Sequence, residues 1–224
     1  MRACLFSGGK DSTMAIHKMH EQGLDVELLI TMASENDFSY MFHKPNINLS
    51  PLQAEALGMK QVVYLTKGEK EEELYDIERA LVENNVTELV TGAVASTYQK
   101  SRIEWICKKL SVDVISPLWH INPMTELEEL AKDYDVIITQ VAAEGFGNSI
   151  LGAHIDKKMI GELLKIHEKY GTHMLFEGGE AESFVLDAPL FKKRIEIKKA
   201  HTGWTGQVGS YVIEEAVLAS KQKP

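Results

Sequence analysis

Short apolar runs alternate with amphipathic stretches along the first half of the chain. Cys4-Leu5-Phe6 is apolar, and a pattern of helical period follows from about Asp11 until Gly23. VELLITMA at 26–33 reads as a second strand. Ser50-Pro51 reads as an N-cap followed by Pro at the first helical position, with Gly58 ending that helix. QVVYLT at 61–66 reads as a strand, and a helix around 70–84 places Leu74, Ile77 and Leu81 on one face. ELVTGAV at 88–94 precedes a helix around 98–110, where Ile103, Ile106, Cys107 and Leu110 recur at i, i+3, i+4 and i+7. DVISPLW at 113–119 closes the series. Five strands with helical crossovers predict an α/β domain whose parallel sheet carries helices on both faces. Such sheets take ligands at the carboxyl ends of their strands.

The grammar changes at Asn122-Pro123, which predicts one domain over 1–122 and a second over 123–224. A helix at about 124–134 leads to DVIITQVAAEG, and a helix at about 155–170 ends at Gly171. The tail from 190 to 218 alternates apolar and charged residues around HTGWTGQVG, the signature of a hairpin or small antiparallel sheet. The second domain is therefore expected to be a smaller α+β unit. The stretch between Ser34 and Ser50 has no clear period, and loops of that length are often functional.

Composition narrows the classes. The chain has 224 residues, 33 acidic and 24 basic, for a net charge of −9. Phosphate-backbone binding needs clustered Lys and Arg, so direct nucleic-acid binding is not expected. Cys4 and Cys107 are the two cysteines, far apart and each in an apolar pattern, which reads as buried packing rather than a disulfide or zinc site. His17 and His20 share a helical face without an evident third ligand, so no zinc site is expected there. No run approaches the ~20 apolar residues of a membrane span, and a cytoplasmic location is expected.

The stretch with the most chemistry is SGGKDS, Ser7 to Ser12, directly after the first strand and opening the first helix. A helix start offers N–H donors without internal partners and the positive end of the dipole, which together make an anion site. Gly8 and Gly9 let an anion approach the backbone, Lys10 adds charge, and Ser7 and Ser12 add hydroxyls. A polyphosphate is the expected occupant. A Walker loop is excluded because Cys4 stands where its first Gly belongs and Asp11 follows Lys10. The competing reading is a plain strand–helix turn in which Asp11 or Ser12 caps the helix.

SGGKDS after an N-terminal strand resembles the PP-loop of the N-type ATP pyrophosphatases. Three further stretches resemble one branch, diphthine–ammonia ligase: SYMFH at 39–43, TGAVASTYQKSRIEWICKKL at 91–110 and EGGEAESFVLDAPLF at 177–191. Gly92, Ser96, Tyr98, Gln99, Arg102 and Glu104 carry the second match. Ala181-Glu182-Ser183 departs from that branch, which commonly shows an aromatic residue, Glu and Thr. The resemblance implies an adenine-nucleotide α-hydrolase (HUP-like) sheet and the stand-alone archaeal type, without the long C-terminal extension of eukaryotic relatives. It implies ATP-dependent amidation of diphthine on translation elongation factor 2 through an acyl-adenylate, with ammonia as nucleophile. Ser7, Gly8, Gly9, Lys10, Asp11, Ser12, Gly92 and Tyr98 are then the expected ATP-binding residues.

ATP carries about four negative charges that cannot be buried unpaired. Lys10 and one helix start, worth at most ~2 kcal/mol as a dipole, do not balance them. Mg²⁺ is expected, with Asp11 as its ligand. Lys100 and Arg102, at the start of the fourth helix, are expected near the α-phosphate, with Arg102 stabilising developing charge. Lys108 and Lys109, in the last turn of the same helix, read as partners of its dipole. Glu177, Glu180 and Glu182 crowd a Gly-Gly turn and repel one another without a cation. They are expected to receive the quaternary ammonium of diphthine or to guide ammonium, with Glu180 catalytic and Trp204 as an aromatic wall. The oligomeric state is left open, a homodimer being one expectation. Two other functions remain: a PP-loop tRNA-modifying enzyme, which would favour paired cysteines and a basic surface, and a non-catalytic ATP-binding regulatory module.

Overall fold

The first half folds as a five-stranded parallel sheet. Strands β1 (Arg2–Leu5), β2 (Leu28–Ser34), β3 (Lys60–Thr66), β4 (Glu88–Val90) and β5 (Asp113–Ile115) lie in the order β3-β2-β1-β4-β5. The computed structural model describes residues 1–34, 46–67 and 72–221. SYMFH at 39–43 lies outside the described residues, as does the side chain of Gln99. Contacts divide the chain into Met1–His120 and Ile121–Pro224. Helices α1 (Lys10–Glu21), α2 (Ser50–Leu57), α3 (Glu72–Glu83) and α4 (Thr97–Leu110) form the crossovers.

This is the α/β architecture that the strand–helix alternation predicts. Ala3, Leu28, Ile30 and Met32 from the sheet pack with Leu74, Ile77 and Leu81 of α3 and with Ile103, Ile106 and Cys107 of α4. The 3.6-residue period of both helices is therefore the footprint of one core. After α1 and α2 the strands step from β1 to β2 to β3, and the chain then returns to add β4 on the other side of β1. The order reverses between β1 and β4, and ligands of open parallel sheets bind in the crevice at such a switch point.

Three local expectations are corrected. Ser50 is not the N-cap of α2 but its first residue, because a 3₁₀ turn at Ile47–Leu49 runs straight into the helix. The fifth strand stops at Ile115 instead of Trp119, since Pro117 has no N–H for the ladder. Trp119 instead sits in a turn, with its N–H on Ser116 O at 3.1 Å. The Gly-rich stretch 201–209 is almost all strand, and only Gly206 (φ 61°) and Gln207 form the turn.

The second unit opens with α5 (Pro123–Asp133), whose N-cap Asn122 accepts from Met124 N at 2.9 Å. β6 (Asp135–Val141), α6 (Lys157–Tyr170), β7 (Ala181–Asp187), β8 (Arg194–Thr205) and β9 (Val208–Ala219) follow, with the antiparallel sheet ordered β7-β6-β9-β8. Among the described residues no helix is long and apolar enough to cross a membrane.

The chain returning from β6 pairs with the first half of that strand, which β9 does not reach, with Gly152 N on Ile138 O and Ile155 N on Val136 O, both at 2.8 Å. There His154 Nδ1 meets Asp135 Oδ1 at 2.5 Å, and this bond raises the imidazole above its ordinary value of 6.5. A raised value in the folded state means that the pair stabilises fully below the unfolded value, and that this is lost as pH rises through the folded one. His154→Gln should therefore lower Tm at pH 5.5 and leave it nearly unchanged at pH 9, read by thermal melts. Equal shifts at both pH values would refute the assignment.

Candidate active site

β1 ends at Leu5, and Phe6 N still bonds Ile30 O at 2.8 Å before the chain turns away from the sheet. Gly8 makes the turn with φ 76°, a region that L side chains rarely enter. Gly9 is the N-cap of α1, and no side chain caps the helix. The capping reading of Asp11 or Ser12 is thereby corrected. Ser12 Oγ instead donates to Gly9 O at 3.2 Å and accepts from Ser7 N at 3.3 Å. Gly9 N reaches Ser7 Oγ at 3.4 Å. The two serines thus shape the turn from within, through long contacts to the N–H groups of Ser7 and Gly9.

Two neighbours press on this turn. A Cβ on Gly8 would lie 1.9 Å from Gln53 Oε1, and Gln53 Nε2 donates to Gly8 O at 2.8 Å. A Cβ on Gly92, just past β4, would lie 2.7 Å from the carbonyl carbon of Asp11 and from Ser12 N. The segment after β4 therefore rests against the first turn of α1, so SGGKDS and TGAVAS meet at the switch point.

The charges at the loop are paired internally. Lys10 is 1% exposed, and its ammonium holds the Asp11 carboxylate. The glycines without room for a Cβ, the uncapped helix start and the buried ammonium fit a polyphosphate. Among the described residues no cluster of three His, Cys, Asp or Glu ligand atoms converges at this loop. Mg²⁺ bound chiefly through phosphates needs one or two carboxylates, and Asp11, part-exposed beside the loop, has the chemistry for that role.

The two cations in the first half of α4 lie on aromatic rings. Arg102 Cζ lies 4.7 Å from the centre of the Tyr98 ring, and Lys100 Nζ lies 3.9 Å from that of Trp119. Lys100 also reaches Glu104 at 3.5 Å. His120 N bonds Val94 O at 3.0 Å, which ties the turn after β5 to the segment after β4. Trp119 ends an apolar run that reads as strand, and Pro117 two residues earlier is the signal against that reading. Lys109 bridges to Glu78 of α3 at 2.8 Å, a packing role. Burial pushes the Cys4 thiol up strongly, and burial with Glu104 nearby pushes Cys107 up to about 12. Neither thiol is poised for sulfur transfer.

In the second unit the candidates do not converge on one surface. Glu180 Oε1 accepts from His173 N at 2.5 Å and Oε2 from Gly178 N at 2.8 Å. That carboxylate stitches the turn 173–180 closed, a bond pattern that sequence spacing does not reveal. Glu177 and Glu182 are half-buried. Register aligns Glu182, Gln140, Ser210 and Gly203 in one row across the sheet, and Ala181, Val141, Gly209 and Trp204 in the next. Successive rows project to opposite faces, so Glu182 and Trp204 point away from each other. The Trp204 ring lies over Gly209, where a Cβ would be 2.8 Å from Cζ2, and its Nε1 donates to Asn148 Oδ1 at 3.2 Å.

Comparison with known proteins agrees in both halves. A family model described as "Diphthamide synthase N-terminal domain" matches residues 1–114, and one described as "Diphthamide synthase C-terminal domain" matches residues 122–219. The chain is 34% identical over 217 residues to the diphthine–ammonia ligase of Bos taurus, covering 86% of this chain and 81% of that protein. It is 32% identical over 225 residues to that of Rattus norvegicus, covering 87% and 82%. A solved chain described as a predicted subunit of tRNA methyltransferase from Methanocaldococcus jannaschii superposes with TM-score 0.45 and 17% identity, over 84% of this chain and 98% of that one. A likeness at that level does not extend to function.

Proposed function

The chain belongs to the diphthamide synthase family, and on that premise we propose that it amidates diphthine on translation elongation factor 2 at the expense of ATP. It is a ligase that forms a C–N bond. The observation that carries the ATP half is the bare helix start at the β1/β4 switch point, where Gly8 and Gly92 have no room for a Cβ. The β- and γ-phosphates lie on the N–H groups of the loop from Ser7 to Ser12. Lys10 moves from Asp11 to the phosphates, and Asp11 is left to hold Mg²⁺, which when bound neutralises phosphate charge.

The diphthine carboxylate oxygen attacks the α-phosphorus, the bond to the bridging oxygen breaks, and pyrophosphate leaves. The product is an acyl-adenylate. Arg102 and Lys100, steadied by Tyr98 and Trp119, stabilise the charge that grows on the α-phosphate. Ammonia attacks the acyl carbon, the C–O bond breaks, AMP leaves, and the nitrogen sheds its extra proton. Glu177 and Glu182 serve the ammonium and diphthine side. Glu180 acts as a positioning residue, because both of its oxygens hold backbone N–H groups. Trp204 contributes to the protein-substrate surface from the opposite face of its sheet. The cytoplasm, where the translation factor works, is the proposed location.

The test is incubation of the chain with ATP, Mg²⁺, ammonium and diphthine-bearing elongation factor, following AMP by chromatography and the factor by mass spectrometry. The expected result is one AMP per acid converted to amide, with each of the four components required. ATP binding without AMP release would favour a regulatory module. AMP release driven by tRNA instead of the factor would favour a tRNA-modifying enzyme.

A further inference from the structure

We infer that Gln53, backed by Thr31 and Gln61, is the positioning group that aims the backbone of the phosphate loop. This rests on the ATP reading of Ser7–Ser12 but adds residues from outside the loop. Two carbonyls of the turn are gripped by buried side chains. Thr31 Oγ1 donates to Phe6 O at 2.7 Å, and Gln53 Nε2 donates to Gly8 O at 2.8 Å. Both side chains are 0% exposed, so neither bond competes with bulk water.

The grip has a consequence through the peptide plane. In a trans peptide the C=O and the following N–H point in opposite directions. Holding Phe6 O and Gly8 O outward turns the N–H of Ser7 and of Gly9 inward. The structure has them there, meeting the Ser12 and Ser7 hydroxyls at 3.3 Å and 3.4 Å. These contacts are long for N–H···O bonds. A phosphate oxygen can displace them at small cost, while the carbonyl grips keep the N–H vectors in place.

The grips share one anchor. Gln61 Nε2 donates to Thr31 Oγ1 at 2.8 Å and to Ser50 Oγ at 2.9 Å. Ser50 and Gln53 are three residues apart on α2 and so lie on one face of that helix. α2 is thus bolted to the loop by two routes, Gln53 to Gly8 and Ser50 through Gln61 and Thr31 to Phe6. The absent Cβ of Gly8 belongs to the same device, because Gln53 fills its place.

The experiment compares wild type with Gln53→Met, which keeps the volume and removes the donor, and with Thr31→Val, which is nearly isosteric and keeps the device testable if Gln53→Met fails to fold. The readouts are steady-state AMP release against ATP and ammonium, and amide exchange over residues 7–12. Losing one such bond should raise the KM for ATP about tenfold and speed loop exchange about tenfold. The KM for ammonium should stay within about twofold, since the loop does not touch the nitrogen. A purely structural role would reduce the active fraction, lowering kcat with the KM for ATP unmoved, and that result would overturn the inference. So would unchanged loop exchange in both variants. A wild type that binds no ATP would remove the nucleotide reading, while the exchange data would still decide whether Gln53 orders the loop.

Discussion

Lys10→Ala is expected to lower AMP release about a thousandfold while the chain keeps its fold, since even one preorganised hydrogen-bond donor at a reacting anion is worth about 10²–10³ in rate. Lys10 is the buried cation of the loop, and its ammonium rests on Asp11. Pairing inside the loop keeps that charge tolerable before nucleotide arrives, since an isolated buried ammonium is costly. Phosphate offers the ammonium more charge than one carboxylate does, so binding exchanges the partner. Truncation to Ala removes the cation from bound phosphates and leaves Asp11 beside them. The Asp11 side chain is 29% exposed, so water can solvate it and the fold survives. Circular dichroism and Tm check that second half. Asp11→Asn separates the partners: it should raise the Mg²⁺ concentration for half-maximal rate, whereas Lys10→Ala should leave that concentration unchanged. Turnover of Lys10→Ala within about threefold of wild type would remove the loop from the mechanism.

What the sequence made legible was local. The run of Cys4 to Phe6, the glycines of SGGKDS and the helical period behind them are contiguous, and one stretch of physics explains them. Gly92 also stood out, although the reason for its glycine did not. The steric demand comes from Asp11 and Ser12, some 80 positions earlier, and becomes visible once β4 lies beside β1. Gln53 was invisible for the same reason. A polar residue on a short helix reads as solvated, and its burial follows from the crossover that drops α2 over the loop. Trp119 was hidden by an apolar run that looked like strand, and Pro117 outweighed that run because it cannot donate to a ladder. The acidic turn shows the same limit: three close carboxylates suggest a cation site, but that Glu180 accepts from two backbone N–H groups is encoded by no spacing rule. Side chains that answer to backbone groups of distant segments escape periodicity. Residues gathered in one loop at a strand end do not, because the strand end itself can be read.

Gly92→Ala should lower kcat/KM for ATP about a hundredfold, although it adds one methyl group and no charge. The new Cβ would meet the Asp11 carbonyl carbon and Ser12 N at 2.7 Å, against an ordinary contact of at least 3.4 Å. One of the two segments must yield by about 0.7 Å, and misplacing reacting groups by about 1 Å can cost 10²-fold. The segment after β4 has little freedom, since Val90 is locked in register with Cys4 and Thr91 N bonds Ile115 O at 2.9 Å. The first turn of α1 is the softer side, because no side chain caps it and the long Ser7–Ser12 contacts hold it. Displacement therefore falls on the N–H groups that face the phosphates. ATP affinity by calorimetry and AMP release, both taken well below the melting midpoint, separate this from global destabilisation. Gly161→Ala is the control: a Cβ there meets nothing within 4 Å, and Ala at mid-helix in α6 should raise Tm with activity unchanged. If Gly92→Ala turned over ATP like wild type, the contact between the β4 segment and α1 would have no part in shaping the anion site. The switch point would then hold nucleotide through SGGKDS alone.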